Sequence, residues 1–210
     1  MKKLFKGILD FQSEDFEAHR ELFSDLKSGQ NPHTLFIGCS DSRVVPTLIT
    51  KTNPGELFLV RNIANIVPPY HLSDQFVATA SSIEFAVLSL EVDTIVVCGH
   101  SNCGGCYAMN KSRESLESMP NLVKWLEISK EVPARVNRLM KGNSPAEREW
   151  ITEEVNILVQ MENLLSYPFV RERVVAGSLK ILGWYYIIET GEVFNFNDET
   201  GHFEIVEKDI

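Results

Sequence analysis

Residues 94–106 read Thr94-Ile95-Val96-Val97-Cys98-Gly99-His100-Ser101-Asn102-Cys103-Gly104-Gly105-Cys106. The run Thr94–Cys98 is β-branched through Val97 and apolar from Ile95, without the polar alternation of a strand wetted on one face, and glycine stops it. It predicts a strand buried on both sides. Upstream, residues 74–90 carry Phe76, Val77, Ala80, Ile83, Val87 and Leu90 at helical spacing, so a helix precedes the strand. Further upstream the pattern repeats. Thr34-Leu35-Phe36-Ile37 stops at Gly38 before Cys39-Ser40-Asp41-Ser42-Arg43, and Glu56-Leu57-Phe58-Leu59-Val60 is entered through the turn Asn53-Pro54-Gly55.

Continuous apolar strands separated by helices define an α/β protein with a central, mostly parallel sheet flanked by helices. Phe16, Leu22, Phe23 and Leu26 predict an amphipathic N-terminal helical arm over 1–29, ending near Ser28-Gly29. Residues 111–160 are charge-rich, with breaks at Pro120, Pro133 and Gly142-Asn143-Ser144-Pro145, which predicts several helices in a peripheral layer. After Tyr167-Pro168 a short helix leads into residues 179–189. Thr190-Gly191 and Val193-Phe194-Asn195-Phe196 then predict a C-terminal hairpin at the sheet edge.

A length of 210 residues fits one domain spanning 1–210, the arm included. With 44% apolar and 23% charged residues the chain has the composition of a folded soluble protein. The net charge of -9 leaves no basic field for nucleic acid or anionic lipid. No run reaches the roughly 20 apolar residues of a membrane span, and the apolar run in Met1–Phe11 is broken by Lys6 and Asp10, so no leader is expected and the location reads as cytoplasmic. Four cysteines are too few for a disulfide scaffold.

Open α/β sheets bind ligands beyond the carboxyl ends of their strands, where loops from different strands meet. The loops after residues 38 and 99 therefore converge, bringing Cys39 to His100 and Cys103. Taken singly, each cysteine fits a small core residue, and His100 fits a ring satisfying a backbone carbonyl. Together, two thiolates and one imidazole suit zinc, with a fourth position left for water. Cys98 and Cys106 read as packing residues. Asp41 and Arg43, two apart, either form a surface ion pair worth at most about 1 kcal/mol or, beside a metal, an oriented hydrogen-bond acceptor. A thiolate phosphatase would also pair Cys with Arg, but three intervening residues are few for an anion cradle, Asp41 would repel phosphate, and His100 and Cys103 would have no role.

Cys39-Ser40-Asp41-Ser42-Arg43 together with Gly99-His100-Ser101-Asn102-Cys103-Gly104-Gly105 resembles the β-class carbonic anhydrases, as do Val60-Arg61-Asn62-Ile63-Ala64-Asn65 and Tyr167-Pro168-Phe169-Val170-Arg171. The resemblance runs from about Gln30 to Phe203. It implies one zinc per subunit on Cys39, His100 and Cys103, an Asp41-Arg43 dyad, and reversible hydration of carbon dioxide to bicarbonate and a proton. It also implies substrate contacts at Gln30, Phe58 and Gly104, with Gln30 reaching a neighbouring subunit's pocket, and a homodimer or dimer-of-dimers tetramer whose arms embrace.

Phe85 falls where many relatives place a tyrosine, so one pocket hydroxyl is missing. Some members close the zinc with the aspartate as fourth ligand and hold bicarbonate on a tryptophan, an arginine and a tyrosine. Here Arg61 and Tyr186 match the last two, but Phe36 replaces the tryptophan, which favours an open site. His33 and His71 are candidate proton shuttles by residue type alone and read first as surface residues. Carbonyl sulfide or carbon disulfide hydrolysis on the same scaffold, and a non-catalytic zinc protein, are the competing functions.

Overall fold

The structure is a computed structural model describing residues 1–142 and 144–207, and it divides into two compact units, residues 1–31 and the remainder from Pro32 onward. The first unit is helical: α1 (Lys2–Asp10), a wide π-helical turn (Phe11–Asp15), α2 (Phe16–Ala18) and α3 (Arg20–Leu26). Helix thus begins at Lys2, within the expected 1–29 arm. Phe11, Phe16 and Phe23 cluster, the last two stacked with ring centroids 5.2 Å apart. On α1, Leu4, Phe5, Ile8 and Leu9 form an apolar face that is exposed.

The second unit contains β1 (Thr34–Cys39), α4 (Pro46–Thr50), β2 (Leu57–Asn62), α5 (Val77–Glu84), β3 (Thr94–His100) and α6 (Gly104–Met109). Then follow α7 (Pro120–Leu126), α8 (Val132–Leu139), α9 (Pro145–Leu165), α10 (Pro168–Val175), β4 (Lys180–Tyr186), β5 (Val193–Asn197) and β6 (His202–Ile205). The sheet order is β2-β1-β3-β4-β5-β6, parallel through β4 and antiparallel across β4-β5 and β5-β6. The expected edge hairpin is thus a three-stranded meander. Its last strand, with Phe203 and Ile205 among polar residues, carried too weak a pattern to be read. From β1 the chain crosses to β2 on one side and then to β3 on the other, so the strand order reverses where Cys39 and His100 end adjacent strands.

Alternate residues of β1 and β3 face opposite ways, as strand geometry requires. Leu35, Ile37, Ile95 and Val97 join Ile83, Ile157, Leu164 and Val170 in the main core, while Phe36, Val96 and Cys98 form a second apolar cluster with Trp184. Pro120, Pro133 and Pro145 each stand in the first turn of a helix, where the missing N–H costs nothing, so they begin helices rather than break them. Ser144 caps α9 by accepting from the Glu147 N–H.

The peripheral placement expected for residues 111–160 fails for α9. Ile157 is fully buried and sits over Gly99 and Gly183, where a Cβ would come within 2.7 Å and 3.1 Å of it. On the same helix Asn156 donates to the Ala64 carbonyl (2.9 Å), while Gln160 accepts from the Val67 N–H (2.9 Å) and donates to Ser129 (3.0 Å). Those bonds hold a turn in which Ala64 and Asn65 are both left-handed, at φ 59° and 46°. Asn62 closes the turn, its Oδ1 accepting from the Ile66 N–H at 2.7 Å.

Gly105 packs against this turn. A Cβ there would lie 2.8 Å from the Ala64 Cβ and 3.1 Å from the Ala64 nitrogen, whereas one at Gly104 would meet nothing within 4 Å. Gly105→Ala is therefore expected to destabilise the fold by about 1–3 kcal/mol, the usual range for overpacking. Gly104→Ala should leave the melting temperature within a degree or two. Parallel thermal melts check this, and equal melting temperatures would contradict the packing account.

Candidate metal centre

Cys39 is the last residue of β1, His100 the last of β3, and Cys103 the residue before α6. Asn102, left-handed at φ 56°, turns the chain sharply between strand and helix, a conformation that asparagine tolerates better than most residues. The outcome is a buried cluster in which one ligand atom from each of Cys39, His100 and Cys103 lies within 4.8 Å of the others.

Two observations test the cluster as a metal site. Thiolates about 2.3 Å from one tetrahedral centre stand about 3.8 Å apart, and the Cys39 and Cys103 sulfurs are 3.9 Å apart. His100 is fully buried, its Nδ1 lies 3.0 Å from the Ser101 carbonyl, and its Nε2 has no hydrogen-bond partner. A ring donating through Nδ1 presents an Nε2 lone pair, and an orphaned acceptor costs free energy unless something binds it. The donor set and its spacing fit zinc.

Without a metal, the Cys39 thiol is pushed up to about 12, first by the adjacent Cys103 thiol and then by burial. Cys103 is also raised, chiefly by the Cys106 thiol. A metal that binds here must displace those protons.

Beside the cluster, the Asp41 carboxylate accepts from the Arg43 guanidinium through both oxygens, Oδ1 from Nε (2.9 Å) and Oδ2 from Nη2 (2.7 Å), and Oδ1 also accepts from the Arg43 N–H (3.0 Å). Those bonds hold the carboxyl well below the usual carboxylate range, and Oδ2 lies 4.0 Å from His100 Nε2. Arg43 Nη2 also donates to the Asn102 carbonyl (3.0 Å), tying the two loops together. Arg61 donates to the carbonyls of Cys39 (3.0 Å) and Asp41 (2.7 Å), so its guanidinium supports the first loop. Phe36 packs edge-on against Trp184 with centroids 6.1 Å apart.

Gln30 is exposed in the first unit. Phe58 lies on β2 opposite Leu35, four residues before the Cys39–Asn62 pair, or about 13 Å along the strand. It packs against Phe85 with centroids 5.9 Å apart. Within its own chain, then, Phe58 is set back from the metal end. Gly104 begins α6 and is exposed. Cys98 is buried in the Phe36 cluster, as its packing role requires.

Glu153 was not singled out in the sequence. It is 2% exposed on α9, its Oε1 accepts from the Cys103 N–H (2.8 Å), and its Oε2 accepts from the Tyr185 hydroxyl (2.7 Å). Burial pushes the carboxyl up to about 7, against the pull of those two bonds. The available signal was the stripe Glu153, Asn156, Gln160 at helical spacing, which resembles a solvated face until its partners are known. Glu153→Ala leaves both donors without an acceptor, so a loss of about 2–4 kcal/mol is expected together with about 10–100-fold weaker metal binding. Chemical denaturation and metal titration check the pair; unchanged metal affinity would reduce Glu153 to a purely structural residue.

An open α/β sheet with a buried Cys-His-Cys cluster where its strand order reverses defines an α/β protein with a candidate metal site. Comparison with known proteins gives the family. Residues 34–193 match the family model for carbonic anhydrase. A carbonic anhydrase of Helicobacter pylori strain J99 is 42% identical over 209 residues, covering 98% of this chain and 95% of that protein. A solved β-carbonic anhydrase, CcaA, superposes with a TM-score of 0.94 at 36% identity, covering 98% of this chain and 99% of that one. One of two tetrameric β-carbonic anhydrases from Sordaria macrospora superposes at 0.81 with 30% identity, over 93% and 96% of the two chains. The chain belongs to the β-class carbonic anhydrase family.

Proposed function

We propose that this protein is a zinc-dependent carbonic anhydrase, hydrating carbon dioxide reversibly to bicarbonate and a proton, with one zinc held by Cys39, His100 and Cys103. The 3.9 Å separation of two thiols beside an orphaned imidazole nitrogen carries the reading. When bound, zinc lowers the pKa of a coordinated water from about 15.7 to about 7, supplying a nucleophile near neutral pH.

The chain's own residues do the rest. Asp41 stays ionised under the Arg43 fork, so it accepts one hydrogen bond from the attacking oxygen and aims its lone pair at the carbon. With both carboxylate oxygens engaged by Arg43, Asp41 serves as an orienter rather than a fourth ligand. Gly104, where a Cβ would meet nothing within 4 Å, offers a backbone amide to the substrate oxygen on which charge develops.

Gln30 and Phe58 contribute to the pocket of a neighbouring subunit, which accounts for a Phe58 set back from its own metal end. The exposed apolar face of α1 docks on that neighbour. The tetrameric Sordaria relatives support a homodimer or dimer of dimers. Among the described residues no helix is long and apolar enough to cross a membrane.

Two thiolates cancel the formal charge of the metal, so the activating pKa should exceed about 7. Metal analysis with stopped-flow hydration kinetics tests the proposal. The expected result is one zinc per chain and a rate that rises toward alkaline pH. A rate already level at mildly acidic pH overturns the charge argument, and a metal-free active protein overturns the whole reading.

A further inference from the structure

Between the end of α6, the helix α7 and the start of α8 lies a cavity of about 190 Å³ that shares no residue with the metal cluster. Its interior is apolar. Ala108 and Leu126 are buried there, and Met109, Val123 and Pro133 are half-buried. The rim is basic instead, with Lys111, Arg113 and Lys130 all exposed, in a chain whose net charge is -9. Glu127 is the one carboxylate lining the cavity, and Arg113 already engages it. Lys111 and Lys130 have no carboxylate partner among the described residues, and the Lys111 ammonium lies over the Tyr107 ring, 4.2 Å from its centroid. Ser129 also lines the cavity and is fully buried; its Oγ accepts from Gln160 Nε2 (3.0 Å), while among the described residues its own O–H meets no acceptor. A buried donor left over in this way costs free energy until an acceptor arrives.

We infer that this cavity binds a small organic monocarboxylate whose apolar body is about the size of a benzene ring. An apolar cavity of about 150 Å³ admits benzene, so about 190 Å³ holds the ring and leaves its carboxylate at the rim. There the two unpaired ammoniums supply charge-assisted donors. Each half of the ligand is needed. An inorganic anion would pair with the lysines and leave the apolar interior unfilled, whereas a neutral aromatic would fill the interior and leave the lysines without a counter-charge. An apolar lining with a few polar groups is the usual make-up of a small-molecule site. The inference uses no metal ligand, so it and the zinc reading stand or fall separately.

The test titrates the zinc-loaded protein calorimetrically with benzoate, with benzamide as the same shape without the charge, and with acetate as the charge without the ring. Expected is one benzoate per chain, with benzamide and acetate each bound at least ~10-fold more weakly. Lys111→Gln combined with Lys130→Gln should weaken benzoate at least ~10-fold at an unchanged melting temperature. Val123→Phe, which fills the cavity and keeps the lysines, should abolish binding. Cys39→Ser should bind benzoate as the parent does, which separates this site from an anion taken up by the metal. Benzamide or acetate binding as tightly as benzoate, full affinity in the double lysine variant or in Val123→Phe, binding lost in Cys39→Ser, or no detectable binding at millimolar benzoate would each overturn the inference. The three-ligand comparison on the parent decides it should a variant fail to fold.

Discussion

Cys39→Ser is expected to yield a folded protein that retains little zinc and hydrates carbon dioxide more than ~100-fold more slowly than the parent. Loss of an outer-shell partner costs metal affinity about 10–100-fold, and a direct donor should cost more. Serine nearly matches cysteine in volume, so the buried end of β1 keeps its packing. Its hydroxyl does not ionise near neutral pH and is a poor replacement for a thiolate on zinc. Only one sulfur then remains beside the His100 nitrogen, whose lone pair still lacks a protein partner. Elemental analysis, circular dichroism and stopped-flow kinetics on the same preparation check the three parts. Full zinc occupancy with native activity would remove Cys39 from the site.

Asp41→Asn should separate catalysis from metal binding. Zinc stays near one per chain, because all three proposed donors remain, while hydration falls about 100-fold, the upper end for a group acting beside the metal. The amide would turn N–H groups toward a guanidinium that is itself only a donor, so the fork that now fixes both oxygens cannot form. Arg43 would keep at most its bonds to the single remaining side-chain oxygen, together with its bond to Asn102. The native carboxyl is held ionised far below neutral, so its titration does not set the pH profile. The loss should consequently be parallel from about pH 6 to pH 9. A loss confined to one limb would identify Asp41 as a titrating group, and loss of zinc would identify it as a ligand.

The Cys39-His100-Cys103 cluster was legible because its members stand in loops that open where an apolar run ends. Glycine marks the strand end, the parallel sheet sends those ends to one edge, and side-chain chemistry identifies the donors. Asp41 and Arg43 were legible for the same reason, being local to one loop. Glu153 was not, since its role depends on a contact made across 50 residues with a backbone N–H. Neither was α9 as a core helix. Its charged and amide residues resemble a wetted surface, yet Asn156 and Gln160 satisfy backbone groups of the 62–68 segment, which is what permits their burial.

What the amino-acid order determined by itself was local: which runs form strands, where they stop, and which reactive side chains stand at the stops. Periodicity and glycine placement act within a few residues and leave a readable trace. Only the tertiary structure decided that two sulfurs approach to 3.9 Å, that a buried carboxylate braces one of them, and that Phe58 lies away from its own metal end. Those outcomes depend on strand register, on the absence of a Cβ at Gly99 and Gly105, and on a helix laid across the sheet, and packing between distant segments sets all three.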